Sequence, residues 1–134
     1  MRATDWKTWY DHLHKPTWTP SGRTIGIIWS ILYPIIIGVF IAIFVRTGAG
    51  QLPWYILAIA LVNAVANAFF TYIQFRLKNL MLASVDIVIV WVTIVASGIL
   101  LWPHSKILAL LLLPYLVWVS IASTLQLSIT KMNV

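Results

Sequence analysis

The sequence predicts an all-α integral membrane protein, a bundle of four transmembrane helices preceded by a short amphipathic segment. Three observations lead there. Apolar residues make up 61% of the 134-residue chain and charged residues only 9%, with a mean hydropathy of +0.93, whereas a water-soluble globule carries a charged share nearer a quarter. The apolar residues fall in blocks at 24–45, 53–75, 80–102 and 106–130, each long enough at about 1.5 Å per residue to cross a hydrocarbon core of about 30 Å. Only short polar joints separate them, so residues 1–134 read as a single transmembrane domain without a linker or low-complexity tract.

Residues 1–23 form the first element, which is not a span. Trp6, Trp9, Tyr10 and Leu13 recur at helical spacing, with Asp5, Lys7, Thr8, Asp11, His12 and His14 on the other side. A short helix here has one aromatic face and lies along the membrane surface, either as an interfacial anchor or as a lid over the bundle's mouth. Pro16 and Pro20 turn the chain, and Gly22 and Gly26 allow close approach as the first span begins. The first apolar block starts too late, and without a small-residue cleavage pattern, to be a signal peptide.

Charge placement predicts orientation. Arg2, Lys7, Lys15 and Arg23 precede the first span, Arg76 and Lys78 lie between the second and third, and Lys131 follows the fourth; Arg46 and Lys106 fall on the opposite side. By the positive-inside rule both termini are cytoplasmic. The net charge of +6 is thereby read as a topology signal and an attraction to anionic lipid, with no nucleic acid as partner. The absence of cysteine excludes disulfides, thiolate ligation of a metal or haem, and a thiol nucleophile.

The spans carry few polar groups, and each is informative. The first has Trp29 and Tyr33 on one face. In the second, Asn63 and Asn67 are four residues apart, beside a stripe of Ala60, Ala64 and Ala68. An unpartnered amide in hydrocarbon costs several kcal/mol, so both amides face the bundle, where they either tie helices together or meet a guest. Asp86 is the one acid inside a predicted span; it either pairs with Arg76, Lys78 or polar groups of a neighbouring helix, or it is functional. In the fourth, Pro114 frees a carbonyl and bends the helix, Ser120, Ala122, Ser123 and Thr124 thin its wall, and Trp118 and Ala122 place an aromatic plate beside a gap. With Trp29 and Tyr33 this reads as a slot between helices. There is no phosphate-binding glycine loop, zinc-protease helix, nucleophile elbow or paired-carboxylate signature. His12, His14 and His104 lie in loops or at the membrane surface, and no metal site is expected.

The spacing of Trp9, Tyr10, Leu13, Lys15, Pro16, Trp18, Pro20, Trp29, Leu32 and Tyr33 resembles the tryptophan-rich sensory protein family, also called the translocator protein (TspO) or peripheral benzodiazepine receptor family. Two further stretches carry the likeness. One is Asn67-Ala-Phe-Phe70 with the run onward to Asp86, in which Phe70 stands where many members have Trp, as in a bacterial subgroup. The other is Pro114, Tyr115, Leu116, Trp118, Ala122 and Leu125, with Gln126 replacing the usual Asn. The resemblance implies the family fold of five helices minus the first, which has no counterpart before Asp5, either as a four-helix variant or because the start is placed downstream of the family's. The bundle surface so exposed would meet lipid, another membrane protein or a second copy in a homodimer. It further implies a bacterial inner-membrane location and a lid that places Tyr10 at a ligand-lining position.

What the resemblance implies about function is a receptor or carrier for a planar hydrophobic ligand, most naturally a porphyrin such as protoporphyrin IX or another tetrapyrrole, with a regulatory or stress-response role. The porphyrin is a ligand; no obligatory cofactor is expected. Candidate binding residues are Tyr10, Trp18, Trp29, Tyr33, Asn63, Asn67, Phe70, Asp86, Pro114, Trp118 and Ala122. Two alternatives stay open: light-dependent degradation of bound porphyrin, in which Trp29 and Trp118 would be the redox partners, and a purely structural four-helix subunit of a larger membrane complex.

Overall fold

The computed structural model describes residues 13, 15–73 and 77–133. Among them no strand occurs, and the helices are α1 (Gly22–Gly48), α2 (Trp54–Thr71), α3 (Leu80–Leu101), α4 (Lys106–Leu111) and α5 (Leu113–Asn133). Most of the surface segment, Tyr10 included, and Arg76 lie outside the described residues.

Local chemistry sets the helix ends. Ser21 caps α1, its Oγ accepting from the Thr24 N–H at 3.2 Å; Asn79 Oδ1 does the same for α3 through Leu82 N–H at 3.0 Å, and Ser105 Oγ for α4 through Leu108 N–H at 3.3 Å. After α1 the chain reverses at Gly50, whose φ of 76° is a left-handed conformation open to glycine at little cost. Pro34 lies inside α1 without ending it, as membrane helices tolerate.

Two predicted spans differ from the observed helices. The second was expected to run to residue 75, but the regular helix ends at Thr71. There the hydrogen bonding loosens to a five-residue step, Leu77 N–H to Tyr72 O at 3.1 Å, and Lys78 adopts a left-handed φ of 51°. The fourth span is split between α4 and α5 at Leu112. Pro114 has no N–H to offer the carbonyl four residues back, and Leu112 N–H tightens instead onto Ala109 O at 3.2 Å.

Helix α3 is the centre of the bundle, packing most extensively on α2 and α5. Among its buried residues, Ala83, Ile87, Val90, Ile94, Ser97 and Leu101 alternate steps of four and three, the spacing of a helix–helix seam. By contrast α1 buries only Leu32, Val39 and Ile43, and makes slighter contacts with α2, α4 and α5.

The outside is as apolar as the inside. Ile27, Ile31, Ile37 and Ile41 on α1, Leu61, Val62 and Val65 on α2, Val85 and Val92 on α3, and Val117 and Ile121 on α5 are all exposed. In water such a surface would drive aggregation; in a bilayer it is the face that lipid wets. Helices α1, α3 and the stretch Lys106–Asn133 are long and apolar enough to cross a membrane, with Trp54–Phe70 a shorter apolar helix. At one end Trp54 is 75% exposed and Lys106 Nζ lies 5.4 Å over the Trp102 ring, the arrangement of an interfacial aromatic belt. The fold is that of an integral membrane helical bundle.

The small-residue stripe of α2 needs correction. Ala60 is buried, but Ala64 and Ala68 are exposed and Ala66 takes the inward place. Asn63 and Asn67 set the rotation of α2 by facing inward, and that turns the residue after each of them outward.

Candidate functional site

Four helices contribute to one polar and aromatic cluster. On α1, Trp29 and Tyr33 are one turn apart and stack, with ring centroids 5.0 Å apart and planes at 27°. Trp29 also meets two rings of α5 edge-on, Trp118 at 6.3 Å and 88° and Tyr115 at 6.4 Å and 66°, the geometry aromatic quadrupoles prefer. Sequence-predicted Trp29, Tyr33 and Trp118 are thus brought together.

A chain of hydrogen bonds runs through the same place. The Tyr33 hydroxyl donates to Asn67 Oδ1 at 3.1 Å, Asn67 Nδ2 donates to the Tyr115 hydroxyl at 2.6 Å, and Tyr115 donates to Asn63 Oδ1 at 3.1 Å. Asn63 Nδ2 then reaches α3, at Thr93 Oγ1 (2.9 Å) and the Val90 carbonyl (3.2 Å). Every bond donates in the same sense, from α1 through α2 and α5 to α3. Both amides therefore link helices, and each keeps hydrogen-bonding capacity for a guest.

The other candidates are dispersed. Phe70 and Ala122 are half-buried and pack against the core. Pro114 is exposed and shapes α5 without lining the cluster. Trp18 is exposed in the turn closed by Thr19 N–H to Pro16 O, ahead of α1. Tyr10 lies outside the described residues. Asp86 is buried on α3, and its Oδ2 has no hydrogen-bond partner among the described residues. No group of three metal-ligating side chains occurs among the described residues.

Sequence reasoning missed Tyr115 as the hub. Its signal was present, because a tyrosine in mid-span must find a partner for its hydroxyl, and the second span offers two amides. A second polar cluster was missed too. The Ser84 and Thr130 hydroxyls are 2.6 Å apart, Thr130 donates to the Leu80 carbonyl at 3.1 Å, and Gln126 Nε2 donates to Thr130 at 3.3 Å. It joins the start of α3 to the end of α5.

The bundle interior is tight. A cavity of about 30 Å³ beside Asn63 and Tyr115, lined also by Ile36, Phe40, Ala60, Ile94 and Ser97, is room for little more than a water. On the outer surface, Val88, Trp91, Ser120, Ser123, Thr124 and Leu127 line a groove of about 350 Å³ between α3 and α5, bridged by Trp91 Nε1 donating to Ser120 Oγ at 2.9 Å.

The fold and the cluster together define a small helical membrane protein with an aromatic, amide-lined interior. The TspO/MBR family profile matches residues 1–132, and the chain belongs to that family. It is 41% identical over 128 residues to an uncharacterized membrane protein, YtaB, of Bacillus subtilis, covering 93% of this chain and 80% of that one. To the tryptophan-rich protein TspO of Bacillus cereus it is 39% identical over 127 residues, 95% of this chain and 82% of the relative. The likeness extends to the translocator protein of Sus scrofa, at 27% over 126 residues, 93% and 75% of the two chains.

Proposed function

We propose that this protein is a membrane receptor or carrier for a planar hydrophobic ligand, most naturally a porphyrin or related tetrapyrrole, with both chain termini on the cytoplasmic side. One observation carries the reading: Trp29 stacks on Tyr33 and meets Trp118 edge-on, in a wall whose hydrogen bonds run through Asn67. Flat aromatic rings hold a flat guest by apolar contact, and amides fix its orientation.

Ligand sites of this kind enclose about 300–1,000 Å³, so a guest enters by parting helices. Helix α1 is the one to move, since of the long spans it buries the smallest share of its residues and among the described residues its side-chain hydrogen bond to the rest of the bundle is Tyr33 to Asn67. A guest between α1 and the other helices would take over the Trp29 and Trp118 faces and the freed Asn67 oxygen.

Titration of the purified protein with protoporphyrin IX in darkness, followed by tryptophan quenching and porphyrin absorbance, tests this. Saturable micromolar binding weakened by Trp29→Phe and by Asn67→Ala is expected; saturation indifferent to both would place the porphyrin elsewhere and overturn the site. The Trp29–Trp118 edge contact also favours a second reading, light-driven oxidation of the bound ring by dioxygen with the indoles as electron relays. It requires porphyrin consumption in light that Trp29→Phe slows at equal occupancy.

A further inference from the structure

The groove between α3 and α5 opens on the outer surface, apart from the aromatic cluster inside the bundle. Its volume is about 350 Å³, and it is lined by Val88 and Trp91 of α3 and by Ser120, Ser123, Thr124 and Leu127 of α5. That is the size of a small-molecule site, and three of its six walls carry hydroxyls on a surface that hydrocarbon bathes.

The hydrogen bonds of the groove leave one donor over. Trp91 Nε1 donates to Ser120 Oγ at 2.9 Å, Ser120 Oγ donates to the Leu116 carbonyl at 2.7 Å, and Thr124 Oγ1 donates to the Ser120 carbonyl at 3.0 Å. Ser123 does not turn back to its own helix in this way, and its buried Oγ has no partner among the described residues. Proteins leave lone pairs open more often than they leave donors unused, so what the groove lacks is an acceptor. A step of χ1 between staggered rotamers is open to so small a side chain when a guest arrives.

Depth narrows the guest. Trp91 stands at the middle of the 22 residues of α3, level with Ser120, and Ser123 lies about 5 Å further along α5. The ester carbonyls of phospholipids sit at the edge of the hydrocarbon core, about 15 Å from its midplane, too far out to serve Ser123. An acyl chain would fill the space and leave the hydroxyl unpaired, and an alcohol would bring a second donor of its own. The occupant must carry a neutral acceptor into the middle of the bilayer, and Trp91, 39% exposed, offers it an aromatic wall.

We propose that this groove binds a lipid-soluble quinone, one ring carbonyl accepting from the Ser123 hydroxyl, the ring lying against Trp91, and an apolar tail running past Val88 and Leu127 into the lipid. A quinone is flat and uncharged and has acceptors without donors, which is the complement of what the groove offers. The site is separate from the one proposed for porphyrin.

Calorimetric titration of the protein in dioleoylphosphatidylcholine nanodiscs, with empty nanodiscs subtracted, tests this. The probes are 2,3-dimethyl-1,4-naphthoquinone and 2,3-dimethylnaphthalene, the same frame without carbonyls. The quinone is expected to saturate at one per chain and to bind at least about fivefold more tightly than the hydrocarbon, as one net hydrogen bond warrants. Ser123→Ala should erase that preference with helicity unchanged, Ser123→Thr should keep it, and Leu127→Trp, which fills the groove, should weaken both probes. Trp29→Phe, in the inner cluster, should leave quinone binding as it was. No saturation above the lipid blank, or equal affinity for the two probes, would overturn the proposal, and sensitivity to Trp29→Phe would move the quinone to the inner cluster. The chain has no cysteine, so Leu127→Cys reports on the other occupant: rapid disulfide crosslinking of that variant in liposomes, unaffected by quinone, would assign the groove to a second copy and overturn the proposal as well.

Discussion

The Tyr115 hydroxyl stands between two amides of one helix, accepting from Asn67 Nδ2 at 2.6 Å and donating to Asn63 Oδ1 at 3.1 Å. At 1% exposure it is shut off from bulk water. One oxygen on α5 thereby sets the rotation of α2, which through Asn63 is tied to α3.

Tyr115→Phe should destabilise the bundle by more than an average membrane hydrogen bond. Single interhelical bonds average about 0.6 kcal/mol, but this change leaves two amides short of a partner away from bulk water, which raises the expected cost to about 1–3 kcal/mol. In detergent that corresponds to a drop of several degrees in the thermal midpoint, with far-ultraviolet helicity unchanged. A midpoint within one degree of the wild type would mean that the amides re-pair without Tyr115.

Tyr33→Phe should separate motion from stability. The ring stack on Trp29 is kept and only the bond to Asn67 is lost, so the thermal midpoint should shift little. Amide hydrogen exchange in α1 should accelerate while α3 stays protected. Equal acceleration in both helices would show that α1 does not open separately.

Trp29 and Trp118 should be energetically coupled. Their edge-on contact predicts an interaction energy of about 0.5–1.5 kcal/mol in a double-mutant cycle of Phe substitutions. Ligand-free stability is the readout. Additive effects would mean the two rings act as separate anchors.

Pro114→Ala should act at a distance. The residue is exposed, and restoring an N–H lets α4 and α5 fuse across Leu112, with a gain in helicity. Fusion rotates Tyr115 away from the amides, so porphyrin affinity should fall despite the better helix. Unchanged affinity would show that the break at Leu112 is not needed for the site.

The membrane class and the existence of the spans were legible because hydropathy records what a lipid-exposed or core residue must be. The rotation of each helix was not, because lipid and bundle interior are equally apolar. Only the polar residues broke that ambiguity. Asn63 and Asn67 marked the inner face of α2 correctly, whereas the alanines beside them carried no such constraint, and Ala64 and Ala68 turned out to face outward. The aromatic cluster was legible as a set of rings, Trp29, Tyr33 and Trp118, but its hub was hidden. Whether a mid-span tyrosine meets a guest or a neighbour depends on long-range register, which local spacing does not encode. The end of α2 was placed too late for a different reason: the residues after Thr71 are apolar enough to continue a span, and the loosened step at Tyr72 leaves no hydropathic trace.

The unequal lengths of α1 and α2 have a mechanical consequence. Twenty-seven residues make a rod of about 40 Å, and eighteen one of about 27 Å, side by side in a hydrocarbon slab of about 30 Å. The short helix suits a thin bilayer, while the long one must lean to hide its ends, and it leans further as the slab thins. Since α1 buries little of its length, a change in its lean should strain the Tyr33–Asn67 bond that ties it to α2. Bilayer thickness should therefore bias the lean of α1, and ligand uptake should depend on the acyl-chain length of the lipid around the protein.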